Sequence, residues 1–412
     1  MRSGKQTLGE IERQVQADIR ANGCEILEGA LQTMGNGLEE SHRPCACGGM
    51  KRCVADRSKT VRTLMGPVRI SRAYYHCGRC ASGEFPLDAA LGVEGTSLSP
   101  AAQEAAAWAD AEMAYGRAAA FLSRVLGPDL SKDTHQTLSG ELGEAAQAGE
   151  EERDRAAWSR LGPAEQFYAA VDGLKVNTDE GWKEPKLCAI FRAKRGRGGK
   201  PVRLLTRYAG HLEEAEAFGE RVWGMAEALG VGKARTTVVL GDGAAWIWNL
   251  AEFHFPEAVQ IVDFYHAVER LSEVATAVWG EGAARARAWL RWRRKALRNG
   301  NVGAVLRHLQ ALPAKGKETR DLVRRAVGYF RENRSRMRYG AFRKAGLFIG
   351  SGVVEAACKS IVAQRFKQSG MRWSREGFLR LLHLRLCILN DDWDAFARSR
   401  FPRVVNLPAA YF

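Results

Sequence analysis

Apolar residues near the start of the chain recur at helical spacing. Leu8, Ile11, Val15, Ile19, Ile26 and Leu27 are separated by acids and bases, which predicts an amphipathic helix over 5–35. Such a helix serves packing or dimerisation. A glycine-rich break follows at Met34-Gly35-Asn36-Gly37. The pattern then turns strand-like at Val61–Leu64 and Val68–Tyr75. From 97 to 147 it is alanine-rich and helical. Ser99-Pro100 makes a good helix start, a second helix spans about 114–126 and stops at Gly127-Pro128, and Ser131–Thr134 opens a third. This run reads either as a helix-turn-helix DNA reader or as an ordinary three-helix bundle.

Beyond an acidic stretch at 148–165, strands and helices alternate. Strands are predicted at Tyr168–Val176, Lys186–Ala193, Pro201–Gly210, Thr236–Leu240 and Ala258–Phe264. Helices are predicted at 213–229, from Ala244 and from His266. The order β-β-β-α-β-α-β-α is that of a ribonuclease H-like α/β core with an antiparallel leading hairpin. Residues 271–345 are helical and basic, and read as an all-helical insertion. Residues 350–390 return to amphipathic helix. The expected domains are therefore 1–40 (helix), 41–95 (zinc-ribbon-like), 96–150 (helical, DNA-binding), 165–270 (first part of the core), 271–345 (insertion), 346–395 (final core helices) and 396–412 (tail).

The chain has 412 residues and a formal net charge of +15, which speaks for a polyanionic partner, most commonly nucleic acid. No stretch approaches the roughly 20 apolar residues of a membrane span. Met1-Arg2-Ser3-Gly4-Lys5 leads into a mixed-charge helix, not a signal-peptide core. The expected location is cytoplasmic, associated with the nucleoid, with no membrane partner.

Four of the nine cysteines lie close together. Cys77 and Cys80 have the Cys-x-x-Cys spacing that lets two thiolates meet one tetrahedral Zn²⁺. Cys45 and Cys47 are one residue short of the usual knuckle, so His42 or Cys53 is an alternative ligand. The alternative to structural zinc is a set of free thiols.

Three acids carry the candidate chemistry. Asp172 and Asp242 each follow an apolar strand and precede glycine, and Glu355 sits in an apolar helical run after Ser351-Gly352. One Asp-Gly after a strand is usually a turn. Two such acids at strand ends, plus a helical acid, point to a shared divalent-metal site. Two Mg²⁺ (or Mn²⁺) ions held there suit in-line attack at a phosphodiester. Asp263 and His266, three residues apart on one helical face, are either a pair that orients the site or an N-capping aspartate with a core histidine. Trp246 and Trp248 are either base-stacking or core. Candidate DNA contacts are Arg195 and Arg197 in the Lys194–Lys200 hairpin tip, and Arg291, Arg293 and Arg294 in a run holding seven Lys/Arg between Arg285 and Arg298. Trp373, flanked by basic residues, is a base-stacking candidate.

The segments Tyr168-Ala-Ala-Val-Asp-Gly, Val239-Leu-Gly-Asp-Gly-Ala-Ala-Trp-Ile-Trp-Asn, Ile261-Val-Asp-Phe-Tyr-His-Ala-Val-Glu, Ile349-Gly-Ser-Gly-Val-Val-Glu-Ala-Ala-Cys-Lys and Gly370-Met-Arg-Trp-Ser closely resemble the DDE transposases of bacterial insertion sequences, the ISKra-like group. The resemblance runs over about 42–395. It implies a ribonuclease H-like core with a helical insertion, and Mg²⁺-dependent DNA strand cleavage and joining. It implies that Asp172, Asp242 and Glu355 are the catalytic, metal-binding triad, and that Asp263 and His266 match the aspartate-x-x-histidine signature of related Mutator-like enzymes. Lys359 and Arg372, with Trp373, are further candidate contacts with double-stranded DNA. Cys45-x-Cys47 departs from the family's zinc-ribbon pair. Two element ends must be synapsed, so a homodimer or larger assembly is expected. The other functions compatible with these residues are a DNA-binding regulator that does not cut and a metal-dependent nuclease.

Overall fold

Residues 7–127, 129–158 and 164–401 are described by the computed structural model of the chain. The predicted helix stop at Pro128 and the tail beyond 401 lie outside them. The chain divides into two units, Met1–Ala146 with Asp391–Phe412, and Gln147–Asn390.

The first unit opens with helix α1 (Leu8–Thr33). Thr7 accepts the Glu10 amide through its hydroxyl, while the Glu10 carboxylate takes the Thr7 amide, a reciprocal cap that fixes the helix start. Four strands follow in chain order as an antiparallel sheet: β1 (His42–Pro44), β2 (Met50–Arg62), β3 (Pro67–Cys77) and β4 (Gly83–Glu84). β2 begins at Met50, well before the expected strand at Val61, because its exposed polar half pairs with β3 along nearly its whole length. Val61, Val68, Ile70 and Val93 form a small core that Cys24, Leu27 and Leu31 of α1 cover. Helices α2 (Pro86–Ala90), α3 (Pro100–Glu112), α4 (Tyr115–Val125) and α5 (Lys132–Ala148) follow. α3 starts at Ser99, whose hydroxyl accepts the Ala102 amide, with proline in the first turn. Between α3 and α5 a polar cluster is fully buried. Asp110 takes His135 Nδ1 at 2.7 Å and the Ser139 hydroxyl at 2.6 Å.

The second unit begins with α6 (Glu150–Trp158), where the sequence suggests an acidic connection. Its Asp154 explains the difference: the carboxylate is buried and accepts the Arg207 guanidinium, with Arg207 Nε at 3.0 Å. The next strands are β5 (Gln166–Gly173), β6 (Val176–Thr178), β7 (Gly181–Lys183), β8 (Lys186–Arg195) and β9 (Pro201–His211). β5 stops at Gly173 and does not run on to Val176. Residues 176–183 leave the sheet as a separate β6–β7 hairpin, closed where Thr178 Oγ1 donates to the Gly181 carbonyl. Helix α7 (Ala215–Ala228), β10 (Thr236–Gly241), α8 (Ala245–His254) and β11 (Val259–Val262) complete the alternation.

The resulting sheet has the order β11-β10-β5-β8-β9. β10 runs parallel to both β5 and β11, while β8 is antiparallel to both β5 and β9. Phe167 to Val171 on β5 are fully buried, as a central strand covered on both faces requires. A mixed α/β architecture is thus established. The helical stretch that follows comprises α9 (Phe264–Trp279), α10 (Ala284–Arg298), α11 (Val302–Gln310), α12 (Lys317–Glu332), α13 (Tyr339–Lys344) and the short α14 (Gly352–Ala357). α9 packs against α10 and α12, and α14 lies on β5 and β8. A π-helical turn, Cys358–Ala363, joins α14 to α15 (Gln364–Phe366), and α16 (Arg375–Leu389) follows. The last helix, α17 (Trp393–Arg400), belongs to the first unit, where Trp393 Nε1 donates to Glu104 at 2.7 Å. Among the described residues no helix is long and apolar enough to cross a membrane.

The Asp110 cluster is the first unit's most demanding polar feature. Removing the acid strands two buried partners. Asp110→Ala is expected to lower unfolding stability by about 3–5 kcal/mol, read by chemical denaturation. A loss within experimental error would mean that the cluster contributes nothing.

Candidate functional site

Two constellations of chemistry-bearing side chains stand out, one in each unit. The first is the cysteine cluster. A tight turn between β1 and β2, closed by Cys45 N to Gly49 O at 2.9 Å, presents Cys45 and Cys47. The end of β3 and the turn after it present Cys77 and Cys80. Their four sulfurs lie within 4.8 Å of one another. Cys45 and Cys80 are 3.5 Å apart, Cys47 and Cys77 3.7 Å. A tetrahedral Zn²⁺ with Zn–S bonds of about 2.3 Å sets sulfurs about 3.8 Å apart, so the cluster fits the ion. The Ser82 hydroxyl, 3.1 Å from Cys80, together with the Ser82 amide lowers that thiol, while Cys47, against the pull of the Gly49 amide, is raised by hydrogen bonds from Cys45, Cys80 and Cys77, so without a metal the four sulfurs share their protons unequally. Cys53 and His42 lie outside the set, which decides between the alternatives: the shortened Cys45-x-Cys47 knuckle brings both sulfurs in.

The second constellation lies at the carboxyl-terminal edge of β5, β10 and β11. Register dictates its layout. Leu240 pairs with Ala170, the last pair of that ladder, and two positions further on come Asp172, still in β5, and Asp242, in the turn just after β10. Gly241 pairs with Val262, so one position further on Asp263 is level with Asp242. Neighbouring strands lie about 4.8 Å apart, which sets three aspartates in one row. Asp172 Oδ1 accepts the Gly173 amide at 2.8 Å, and Cys358 Sγ lies 3.5 Å from Oδ2. Burial holds the Asp172 carboxyl above the usual carboxylate range, and the charge of Asp242 pushes the same way. The Gly173 amide, the Cys358 thiol and nearby His266 pull against them. Burial also raises the Cys358 thiol, and the charges of Asp172 and Glu355 add to it.

Asp242 is half-buried and is fixed from two sides. Its Oδ1 accepts the Ala244 amide at 2.9 Å, and its carbonyl accepts the Tyr329 hydroxyl at 2.8 Å. Tyr329 belongs to α12, so the helices that follow β11 reach the strand edge. Gly243 makes room for it: a Cβ there would sit 2.5 Å from the Tyr329 ring, at a φ of 107°. Asp263 is fully buried and does two things with one carboxylate. Oδ1 caps α9 by accepting the Tyr265 and His266 amides. Oδ2 accepts both the amide and the hydroxyl of Ser351, the residue before α14. The His266 ring turns instead to Glu269, 3.2 Å away, and reaches Asp172 through its charge.

Glu355 stands one turn into α14 and is half-buried. Its carboxylate pairs with Lys359 at 2.6 Å, so that lysine is engaged rather than free for a phosphate. Among the described residues only the four cysteines converge to within 4.8 Å as a set, and the three acids of the expected triad do not reach that spacing. Like charges without a cation between them stay apart, and Glu355 is balanced by its own lysine. The π turn beginning at Cys358 directly follows α14, and such turns often mark functional positions.

The candidate DNA contacts divide. Arg195 and Arg197 are exposed around the β8–β9 turn, and Arg291 and Arg294 are exposed on α10. Arg293 is half-buried: Nη1 donates to the Trp289 carbonyl at 3.3 Å and the guanidinium covers the Trp289 ring. Trp289 is core, whereas Trp292 is 65% exposed. Arg372 is exposed, with Nη2 on the Asp179 carbonyl at 3.1 Å. Trp373 departs from its expected role. It is buried, packs on Phe366 and donates Nε1 to the Phe366 carbonyl at 3.1 Å, so its ring is not open to a base. Trp248 is core beneath Arg336, while Trp246 is half-buried. Nothing in the local pattern singles out Trp182, which is 66% exposed on β7. Ser351 and Cys358 have a signal, since both lie in the Glu355 motif. Tyr329 has none.

The chain is therefore a mixed α/β protein with a four-cysteine cluster that could hold a metal ion and a row of aspartates at a sheet edge. A model of an uncharacterised protein family, UPF0236, matches residues 4–395, and the chain belongs to that family. No curated protein matches it.

Two measurements follow from these sites. Elemental analysis of the purified chain is expected to find one zinc per molecule, lost in Cys77→Ser and in Cys80→Ser; full zinc content in both variants would remove the cluster from consideration. Asp172 is the second case. Its raised pKa means that its contribution to stability is present below the ordinary aspartate range and is lost as pH rises through the raised value. Asp172→Asn is therefore expected to raise the metal-free melting temperature at pH 7, and by less at pH 4. An equal or opposite shift at the two pH values would contradict this.

Proposed function

We propose that the protein is a DDE-type transposase that binds the ends of its own DNA element, cleaves phosphodiesters and joins the freed strands to target DNA. The observation that carries this reading is the placement of Asp172 at the end of β5 and of Asp242 just past the end of its parallel neighbour β10, near enough that burial and the charge of Asp242 together raise the Asp172 carboxyl. Two carboxylates held together, one of them above its usual pKa, constitute a site that a divalent cation relieves. The strand order β9-β8-β5-β10-β11, with an antiparallel meander leading into two parallel strands, supports a ribonuclease H-like core. The length of chain between Asp242 and Glu355 is largely taken up by helices α9 to α13, which agrees with an insertion.

In this reading Asp172, Asp242 and Glu355 would hold Mg²⁺ or Mn²⁺, Glu355 giving up its pair with Lys359. Their oxygen donors suit such hard cations. When bound, two such ions activate the attacking oxygen and stabilise the leaving one. The chain's own groups do the positioning. Asp263 anchors the start of α14 through Ser351, and Tyr329 and the Ala244 amide fix Asp242. Lys359 is released to a phosphate when Glu355 leaves it. Arg195, Arg197, Arg291, Arg294 and Arg372 are exposed cations for the DNA backbone.

The test uses labelled duplex carrying the DNA that flanks the gene, with Mg²⁺. Cleavage and strand joining are expected from the native chain, with a loss of roughly 100-fold or more in Asp172→Asn, Asp242→Asn and Glu355→Gln. Cleavage without joining would assign a nuclease, and binding without cleavage a regulator. Arg291→Glu with Arg294→Glu is expected to weaken duplex binding for every sequence and flatten its salt dependence, as read by anisotropy. Unchanged affinity would take α10 out of the DNA-binding surface.

A further inference from the structure

Five aliphatic side chains stand in solvent along one line of α1. Leu8 is 74% exposed, Ile11 45%, Val15 50%, Ile19 60% and Ile26 62%. At about 100° per residue they fall within a stripe about 80° wide, and from Leu8 to Ile26 it runs about 27 Å. This stripe is not the face that α1 uses within its own unit. There Cys24, Leu27 and Leu31 cover the β2–β3 core, Gly23 lies beneath Met65, and Arg20 donates to the Val125 carbonyl at 2.7 Å. The exposed line is thus a second, separate apolar face.

We infer that this face is a homodimer seam in which α1 of one copy packs antiparallel on α1 of another. Two features select a second copy as the occupant. The first is register. Leu8 and Ile26 are equidistant from Ala17, and so are Val15 and Ile19. A twofold axis at Ala17 sets Leu8 against Ile26 of the second copy and Val15 against Ile19, each pair occurring twice. Ile11 then falls beside Ile19, Asn22 and Ile26 of the second copy, three positions of that copy's exposed stripe. The face is complementary to itself, as an isologous contact demands.

The second feature is area. At these exposures the five side chains leave roughly 500 Å² open per copy, so full pairing withdraws about 1,000 Å², the floor for a specific interface. The seam is formed by these aliphatic side chains, with the polar Asn22 among them. Gln14 and Asp18, hydrogen-bonded to each other at 2.9 Å, lie along one margin as a polar rim.

The inference does not depend on the enzymatic reading, and its test needs no DNA. Light scattering of the full chain at micromolar concentration is expected to give about twice 45.5 kDa for the native protein. Val15→Glu with Ile19→Glu is expected to give the single-chain mass. Both positions are exposed, so an unchanged circular dichroism spectrum and melting temperature will separate loss of the seam from loss of fold. Val15→Leu with Ile19→Leu is expected to remain dimeric. A photoreactive p-benzoylphenylalanine introduced in place of Leu8 is expected to crosslink to residues around Ile26 of the other copy. A monomeric native chain, a dimer that survives the glutamates, or crosslinks from position 8 to the region of position 8 would each overturn the inference.

Discussion

The second unit depends on a clasp made by one buried carboxylate. Asp263 sits at the end of β11, level with Asp242, and both its oxygens are used. One starts α9 and so launches the run of helices α9 to α13. The other receives the chain when that run ends, at Ser351. The chain thus returns to the same side chain 88 positions later. A buried carboxylate is tolerable only when its acceptors are filled, and here main-chain amides and a hydroxyl fill them. The consequence reaches beyond stability. Ser351 immediately precedes α14, so the turn of helix that carries Glu355 starts from a point pinned to the sheet edge.

The edge itself is a balance of like charges. Asp172 and Asp242 come near each other because each follows the last pair of two parallel neighbouring strands by two positions. Burial and the charge of Asp242 raise the Asp172 carboxyl, and the amides of Gly173 and Ala244 offset part of the cost of holding the two acids there. Glu355 answers the same constraint differently, by pairing with Lys359. Under the proposed reading Asp172, Asp242 and Glu355 would hold a divalent cation, and Lys359 would then lose its partner. Tyr329 ties this edge to α12, so in the same reading the insertion and the acids share a contact through which DNA held by the helices is felt at the strand ends.

Much of this is legible in the chain. Apolar runs ending in Asp-Gly predict the strand ends bearing Asp172 and Asp242, since a fully buried strand leaves a clear hydrophobic signature. The cysteine spacing predicts the cluster, although the partners of Cys77 and Cys80 stay open until the β1–β2 turn brings in Cys45 and Cys47. Other features depend on tertiary contacts that no local pattern encodes. Trp373 looks like a stacking residue among basic neighbours, yet it is buried against Phe366. Arg293 lies within a basic run but folds back on Trp289. Val176, at the start of the 176–183 hairpin, reads as the end of β5 because the segment keeps strand character after the chain has left the sheet.

The central claim is that Asp172, Asp242 and Glu355 together bind divalent metal. Electron paramagnetic resonance of Mn²⁺ titrated into the purified chain tests it most directly, because bound ion leaves the free-ion signal. The account predicts saturable uptake by the native protein that is abolished by Asp172→Asn or Asp242→Asn and weakened by Glu355→Gln. Uptake that is unchanged in all three variants, or absent from the native chain both with and without DNA, would contradict it.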